Sequence, residues 1–531
     1  MATDSFGSAR WADEKDLAGE NFQFFADLSH SQHGNPGDKS NFYLLGMLAD
    51  PKKLLSGIQQ NYEPSLGALF SGLTDLFKRA AGAKNLNFSR RYLGWAGNGH
   101  LITVAPTRSG KGVGLVIPNL LNYGGSVIVI DPKGENFAVT ADYRKKILGQ
   151  TIVKLDPFDM CKNAKASVIN PLDLLNPSSP DILDDVNTIV DALVVREKDE
   201  KDPHWNDKAR SMIKGMVLAI LCGEHSSRRI HLGEARKLLT SSFEDFVRLS
   251  QNMASHTDKA NGLLSRAGNE ILAMLGTSEL SGVISTALRH TEFLDSPRVM
   301  SSLCDEKNGD RGDYMLRNIK TKGNVSIYII LPPHLIARYS RLMRLWVGSA
   351  MAVMTRNQSK APGPPVLFML DEMAQLGRME QLIQAVSLQA GYGLSMWMIL
   401  QDIGQLKSLY PNEWSSFLAN ARIQQYFGIN DPETAKYVSE MLGSATISVE
   451  SSSTSKSKSG KMTDLLQQTT KAESIQKSEK ERRLLMVDEL RRLDRKVLIT
   501  LVQGCPPLLA EKIEYFSDSN FLNIATRNPF V

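Results

Sequence analysis

The sequence predicts an α/β fold, a parallel sheet with helices on its faces, interrupted by a long all-helical segment. Three observations lead there. From about residue 98, short β-rich runs alternate with helical stretches, which is the pattern of strands joined by crossover helices. The strands stop near residue 178 and resume near 323, leaving a block with almost continuous helical periodicity between them. A glycine-rich turn, "APTRSGKGVG" at 105–114, sits between the first strand and its helix.

Element by element, "HLITVA" reads as a strand, "GVGLVIPNLLNY" as a helix, "SVIVID" as a second strand and "QTIVKLDPF" as a third. Helices follow at "DILDDVNTIVDALVV", "WNDKARSMIKGMVLAILC", "LGEARKLL", "FEDFVRLS", "LLSRAGNEILAML" and "LSGVISTALRHTEFL". "NVSIYIILPP", "PPVLFMLDE", "LSMWMILQD" and "ARIQQYFGIND" bring back strands. The economical division is an N-terminal extension (1–90), an α/β domain in two parts (91–177 and 323–447) around an all-alpha domain (178–322), a flexible Ser/Lys-rich loop (448–480) and a C-terminal return to the α/β domain (481–531). Within the extension, "LLGMLADPKKLLSGI" and "LGALFSGLTDLFKRAAGA" read as helical.

Bulk properties narrow the class. A chain of 531 residues is too long for one core, so two or three domains are expected. The formal net charge of +5 is mild for that length and does not by itself argue for nucleic acid. Cys161, Cys222, Cys304 and Cys505 form no CxxC pair, which speaks against a zinc site or a disulfide framework and fits a reducing compartment. The N-terminus lacks the basic and apolar regions of a signal peptide, and no run reaches the roughly 18 apolar residues of a transmembrane helix.

The turn at 105–114 departs from the usual phosphate loop, G-x-x-x-x-G-K-[ST]: Ala105 replaces the first glycine and Gly112 the magnesium-binding hydroxyl. Its context is still strand, loop, helix. Gly110 and Gly112 permit a tight turn, the N–H groups of Thr107, Arg108, Ser109, Gly110, Lys111 and Gly112 face one phosphate, and the Lys111 ammonium reaches the β/γ-phosphates of ATP. A magnesium-binding acid should then end an apolar strand. "PVLFMLDE" supplies it, with Asp371 on Mg2+ through water and Glu372 as the general base. "SMWMILQD" ends in Gln401, an uncharged sensor for the γ-phosphate. Asp131, with Lys133 and Glu135, ends the strand after the loop helix, on the edge where open α/β sheets bind ligands.

"APTRSGKGVGLVIPNLL", "IDPKGEN", "DPHWNDKAR", "ELSGVISTALRHTEFLDSPRV", "LFMLDEMAQLGRME" and "AGYGLSMWMILQDIGQLK" together resemble the type IV secretion system coupling proteins of the TraG type. The resemblance runs from "FGSARWA" to "PPLLAEKIEYF". It implies a RecA-like nucleotide-binding domain with an inserted all-alpha domain, in the FtsK/HerA-like superfamily of DNA-pumping hexameric ATPases. It implies ATP and Mg2+ as cofactors. The implied partners are DNA without sequence preference, a relaxase or effector proteins, and the channel's ATPases and inner-membrane components. A homo-hexamer is expected in action, a monomer in isolation, at the cytoplasmic face of the inner membrane. Relatives usually begin with membrane helices, and this chain starts where those would end. The variant loop spelling PTRSGKG is one this family shares. Thr107, Ser109 or a water takes the place of the missing hydroxyl. No arginine stands just before the Gln401 strand, so an arginine finger would be Arg289, Arg378 or Arg422 from a neighbour. The alternative function is a receptor that docks protein substrates and uses nucleotide mainly for assembly.

Overall fold

The computed structural model describes residues 9–12, 16–17, 22–25, 42–48 and 91–530, apart from 163, 196–201, 225–229, 305–312, 322, 357–362, 389 and 460–467. The chain divides into a smaller unit (1–26, 45–94 and 425–512) and a larger one (27–44, 95–424 and 513–531). The sequence grouped 481–531 together. This division parts them after Lys512.

The larger unit is built on the strands β1 (His100–Val104), β2 (Val127–Ile130), β3 (Thr151–Leu155), β4 (Val325–Ile329), β5 (Val366–Leu370), β6 (Leu394–Leu400) and the first four residues of β7 (Ala421–Tyr426). Their order across the sheet is β7-β1-β6-β5-β2-β4-β3. The ladders β1/β6, β6/β5, β5/β2, β2/β4 and β4/β3 are all parallel. β1, β2, β4, β5 and β6 are buried along their whole length. Near-continuous apolar runs such as Val127–Ile130 are what a sheet covered on both faces requires. Strands β1, β6, β5 and β2 are therefore four neighbours pointing the same way, and their C-terminal ends share one edge.

The chain leaves β1 through the loop and enters a helix that starts as a π turn. Ile117 N–H bonds Gly112 O across five residues, and the α-helix Ile117–Asn122 follows. The far end of this helix is held by Arg144, a fully buried guanidinium from the helix Glu135–Lys146. It donates to the carbonyls of Leu120, Tyr123 (2.9 Å) and Gly125 (2.8 Å), and to the side chains of Gln150 and Ser326. A buried cation here satisfies helix-terminal carbonyls that have no intrahelical partner. Asn119 in the same helix accepts from Leu44 N (2.8 Å) and donates to Leu44 O (3.0 Å).

Between β3 and β4 the described residues contain helices and no strand. The longest are Ile182–Leu193, His204–Leu221, Phe243–Ser255, Leu263–Met274 and Ser278–Thr291. Two of the quoted motifs meet in this block. Asn206, from "DPHWNDKAR", receives His290 Nε2 at 2.6 Å and Arg289 at 3.3 Å, both from "TALRH". Arg341, from the helix Ile336–Arg356, reaches His290 Nδ1 at 3.3 Å and Leu193 O at 3.0 Å.

In the smaller unit the strands Phe22–Phe25, Arg91–Trp95, Tyr43–Leu48, Leu508–Glu511 and Val497–Val502 lie in that order. Two readings from the sequence change here. The segment beginning "LLGML", expected to be helical, is a strand over Tyr43–Leu48, paired antiparallel with Ala510 and Glu511. Residues 43–47 are all buried, which an amphipathic helix would not be, and Gly46 lies at φ +135° with Glu511 O where a Cβ would stand. Of the stretch 448–480, expected as a flexible loop, the described residues 448–459 and 468–480 lie in a two-stranded antiparallel ladder, Ser444–Ser459 with Gln468–Arg483. Neither strand contains proline or glycine, so every backbone N–H is available to the ladder, and backbone pairing does not need large apolar side chains. "LGALFSGLTDLFKRAAGA" lies outside the described residues. No helix among those described is long and apolar enough to cross a membrane.

Candidate nucleotide-binding site

Parallel strands explain how distant residues converge. Thr107–Gly112 follow β1, Asp131 follows β2, Asp371 and Glu372 follow β5, and Gln401 follows β6. Because these four strands are neighbours and co-directional, all four tips meet at one edge. A cleft of about 230 Å³ opens there, lined by Thr107, Arg108, Gly110, Lys111, Gly112, Asp131, Asp371 and Glu372, with Lys133 and Glu135 at its wall. Gln401 stands behind it and reaches it through Glu372.

The loop has the backbone that close anion approach needs. Gly110 sits at φ +85° and Arg108 at +62°. Glycine takes that geometry freely, whereas Arg108 holds it at a cost. Of the two candidate hydroxyls, Thr107 is exposed on the cleft and Ser109 is buried beneath it. A Cβ placed on Gly112 would meet nothing within 4 Å. The missing hydroxyl is thus not a matter of space.

Glu372 is the centre of the polar network. Its Oε1 pairs with Lys111 Nζ at 3.3 Å, and its Oε2 accepts from Gln401 Nε2 at 2.8 Å. The carboxylate is presented this way by a left-handed backbone, φ +59° and ψ +46°, which ends β5 and starts the turn Met373–Leu376. A non-glycine residue there carries strain of roughly 1–3 kcal/mol, the kind of outlier that clusters at functional sites.

Two buried carboxylates face the same cleft. Asp131 accepts from Phe137 N at 2.8 Å, at the start of the helix Glu135–Lys146. Burial raises its pKa to about 7, Phe137 and Asn136 N–H groups offset part of that, and Asp371 and Glu135 add to it. Asp371 is raised to about 6, again mainly by burial, against the nearby Lys111 charge, with Glu372 pushing up and Lys133 down. Its Oδ1 is buried without a hydrogen-bond partner. An orphaned carboxylate oxygen beside a second acid, both held above their ordinary range chiefly by burial, is the arrangement a divalent cation satisfies. Among the described residues no group of three or more His, Cys, Asp or Glu side chains could hold a metal on its own. A cation here needs oxygens from a phosphate ligand, as Mg2+ does in phosphoryl-transfer sites.

None of the three arginines considered as fingers lines this cleft. Arg378 makes two 3.0 Å bonds to Glu413 and stacks on Tyr410. Arg289 reaches Asn206 (3.3 Å), and Arg422 lies on β7 with its side chain against Gly99. The sequence missed one neighbour of the loop. The C-terminal tail returns to the larger unit, where Tyr515 N–H bonds Val113 O at 3.3 Å and Thr526 N–H bonds Val139 O at 3.0 Å. No motif marks the tail.

Residues 74–530 match the family described as type IV secretory system conjugative DNA transfer. A conjugal transfer protein TraG of Escherichia coli is 26% identical over 97% of this chain and 77% of its own. VirD4 of Rhizobium radiobacter is 28% identical over 81% of this chain and 58% of its own. Among solved structures, the plasmid coupling protein TrwB in complex with the ATP analogue ADPNP superposes with a TM-score of 0.55, at 17% identity, over 78% of this chain and 85% of its own. TrwB has also been solved with ADP and Mg2+. The likeness to TrwB is one of fold, a RecA-like P-loop sheet. The family match spans most of the sequence, and the chain belongs to the type IV secretory system conjugative DNA transfer family.

Proposed function

We propose that this chain is an ATP-driven coupling motor that brings DNA, with a bound relaxase or effector proteins, to a type IV secretion channel and drives their transfer. The observation that carries this reading is the Lys111–Glu372–Gln401 network at the tips of β1, β5 and β6, beside the orphaned Asp371 oxygen. Family membership supports the coupling role.

ATP phosphates enter the cleft at the N–H groups of 107–112. Lys111 then exchanges Glu372 for the β/γ-phosphates, a stronger partner for a point charge. Glu372, freed on one side, keeps its bond from Gln401, which holds the carboxylate in place to take a proton from the attacking water. Loss of the γ-phosphate returns Lys111 to Glu372, and Gln401, at the tip of β6, passes that change to the chain beyond the strand. Asp371, ionised, would hold Mg2+ with Asp131 behind it, and the ion would supply positive charge against the transferring phosphoryl group. Thr107 is the hydroxyl placed to assist in place of Gly112.

DNA is gripped through its backbone, because a transfer motor must accept any sequence. The motor works as a ring at the cytoplasmic face of the inner membrane, and the helical block between β3 and β4 receives protein substrates. ATP hydrolysis measured with and without single- and double-stranded DNA tests the reading. Stimulation by DNA that disappears in Lys111→Ala supports it. No hydrolysis under any DNA or protein concentration would leave a nucleotide-assembled receptor as the better description.

A further inference from the structure

The left-handed backbone of Glu372 needs something to hold it, because a strained non-glycine residue persists only where its surroundings over-determine it. Within the turn that follows, Gln375 N–H bonds Glu372 O at 2.8 Å and Gly377 N–H bonds Ala374 O at 3.1 Å. The far end of the turn is gripped from outside by Arg344, on the helix Ile336–Arg356. Its Nη1 donates to Leu376 O at 2.8 Å and to Arg378 O at 2.7 Å. The same guanidinium also holds the end of the helix Ile182–Leu193: Nε donates to Ala192 O at 3.0 Å and Nη2 to Asp191 O at 3.1 Å. Arg341 takes Leu193 O at 3.0 Å. The last three carbonyls of that helix, which have no partner within it, are thus all occupied by two arginines of one neighbour.

We infer that Arg344 is the positioning residue of the Glu372 carboxylate, a clamp that fixes the turn carrying this group against the end of the helix Ile182–Leu193. The inference rests on the reading of Glu372 as the base. Arg344 is 3% exposed, and its four bonds all go to backbone carbonyls. A buried cation is costly unless it is compensated, and the negative end of the helix supplies that compensation. The guanidinium is planar and rigid, so the two pairs of carbonyls it joins keep a fixed spacing. A lysine ammonium has three donors and no such fork. On its other side the turn rests on Tyr410, whose hydroxyl accepts from Met379 N (3.1 Å) and donates to Gly377 O (3.4 Å). Pinned from both sides, the turn has no freedom to relax, and Glu372 keeps its carboxylate toward Lys111 and Gln401. Release of the Arg344 side lets that carboxylate drift, and a misplacement of 1 Å costs about a hundredfold in rate. The phosphate loop is not among the groups Arg344 holds, so nucleotide binding is spared.

The test is ATP turnover and ATP affinity of the full chain, with Mg2+ and single-stranded DNA, in Arg344→Lys and Arg344→Gln, each below its melting temperature. Lysine keeps the charge and loses the fork; glutamine loses the charge and keeps a donor. In both, kcat should fall by about tenfold to a hundredfold while ATP affinity stays within about threefold. Gly377→Ala reads the same displacement without touching the arginine, since φ +67° with ψ −167° is open to glycine alone, and it serves where neither arginine variant folds. A role in the fold alone would not depend on Glu372, so each substitution is repeated in Glu372→Gln. There it should change the residual turnover by less than about twofold, because the group it positions is gone. Three results overturn the inference: kcat within about twofold of wild type in the folded variants, an ATP affinity that falls in step with kcat, or an equal fall of turnover in the Glu372→Gln background. Failure of the base assignment looks different: Glu372→Gln alone then turns over like the wild type, and the inference falls with it.

Discussion

Gly112 is where a P-loop ordinarily places its magnesium-binding hydroxyl, and two substitutions there separate backbone from chemistry. A Cβ at Gly112 meets nothing within 4 Å, and its φ is not left-handed, so Ala and Ser both fit. The residue opens the helical turn 112–116. Replacing glycine by alanine in a helix stabilises by roughly 0.5–1 kcal/mol, and serine gains somewhat less. Gly112→Ala is therefore expected to melt at or slightly above the wild-type temperature, with an unchanged Mg2+ requirement. Gly112→Ser adds one oxygen on the cleft wall. An oxygen held against a charged partner is worth roughly 1.5–3 kcal/mol, about tenfold or more in binding. The Mg2+ concentration for half-maximal ATP binding should fall by that factor in Gly112→Ser relative to Gly112→Ala. The assay is a Mg2+ titration of nucleotide affinity in both variants. Identical Mg2+ curves for Ser and Ala would refute the placement of the cation beside residue 112. Loss of ATP binding in a folded Gly112→Ala would refute the claim of free space.

Other predictions test the supports of the site. Arg144→Leu removes a cation bonded to three carbonyls around the end of the loop helix, and stranding buried carbonyls at roughly 1–3 kcal/mol each should lower the melting temperature by several degrees and weaken ATP binding with it. His290 has its pKa lowered to about 3, first by burial and then by the Arg341 and Arg289 charges, while it bonds Asn206. The unfolded chain takes up this proton near pH 6.5 and the folded chain does not, so stability is present above that pH and lost as pH falls below it. At pH 5 the loss is about 2 kcal/mol, from 1.36 kcal/mol per unit. Thermal melts of wild type and His290→Gln between pH 5 and 8 should converge toward acid, and parallel curves would show that His290 does not titrate this way. Arg378→Ala breaks a bidentate pair with Glu413 whose members are each about a quarter to a third exposed, and should cost about 1 kcal/mol or less in a melt with little change in ATP affinity within one chain. A large affinity loss in the monomer would place Arg378 at the nucleotide after all.

The parts of the site that were legible in the sequence are those with a local spelling. "TRSGKG" between a strand and a helix, and "LFMLDE" ending a strand, state their chemistry within a few residues. Their convergence was legible too, because parallel strands share one edge for their tips. The pairing of Lys111 with Glu372 was not legible, since it depends on the left-handed backbone of Glu372, which no propensity favours. The place of the tail beside the loop was not legible for another reason: "YFSDSNFLNIATRN" has no periodicity, and its docking beside Val113 spans some 400 residues. "LLGML" shows the limit of short apolar runs, which read equally as buried strand or helix until the partner strand around Ala510 is known. The Ser/Lys-rich ladder shows that composition reports the poverty of a core and not the pairing of a backbone.

The most direct test of the central claim is ATP turnover by Glu372→Gln beside the wild type, with saturating Mg2+, ATP and single-stranded DNA. The substitution keeps the side-chain shape and removes the base, so turnover should fall by about a hundredfold or more, while ATP affinity stays within a few-fold. Turnover near the wild-type rate in that variant would contradict the assignment of Glu372, and with it the reading of this cleft as the engine of a DNA-transfer motor.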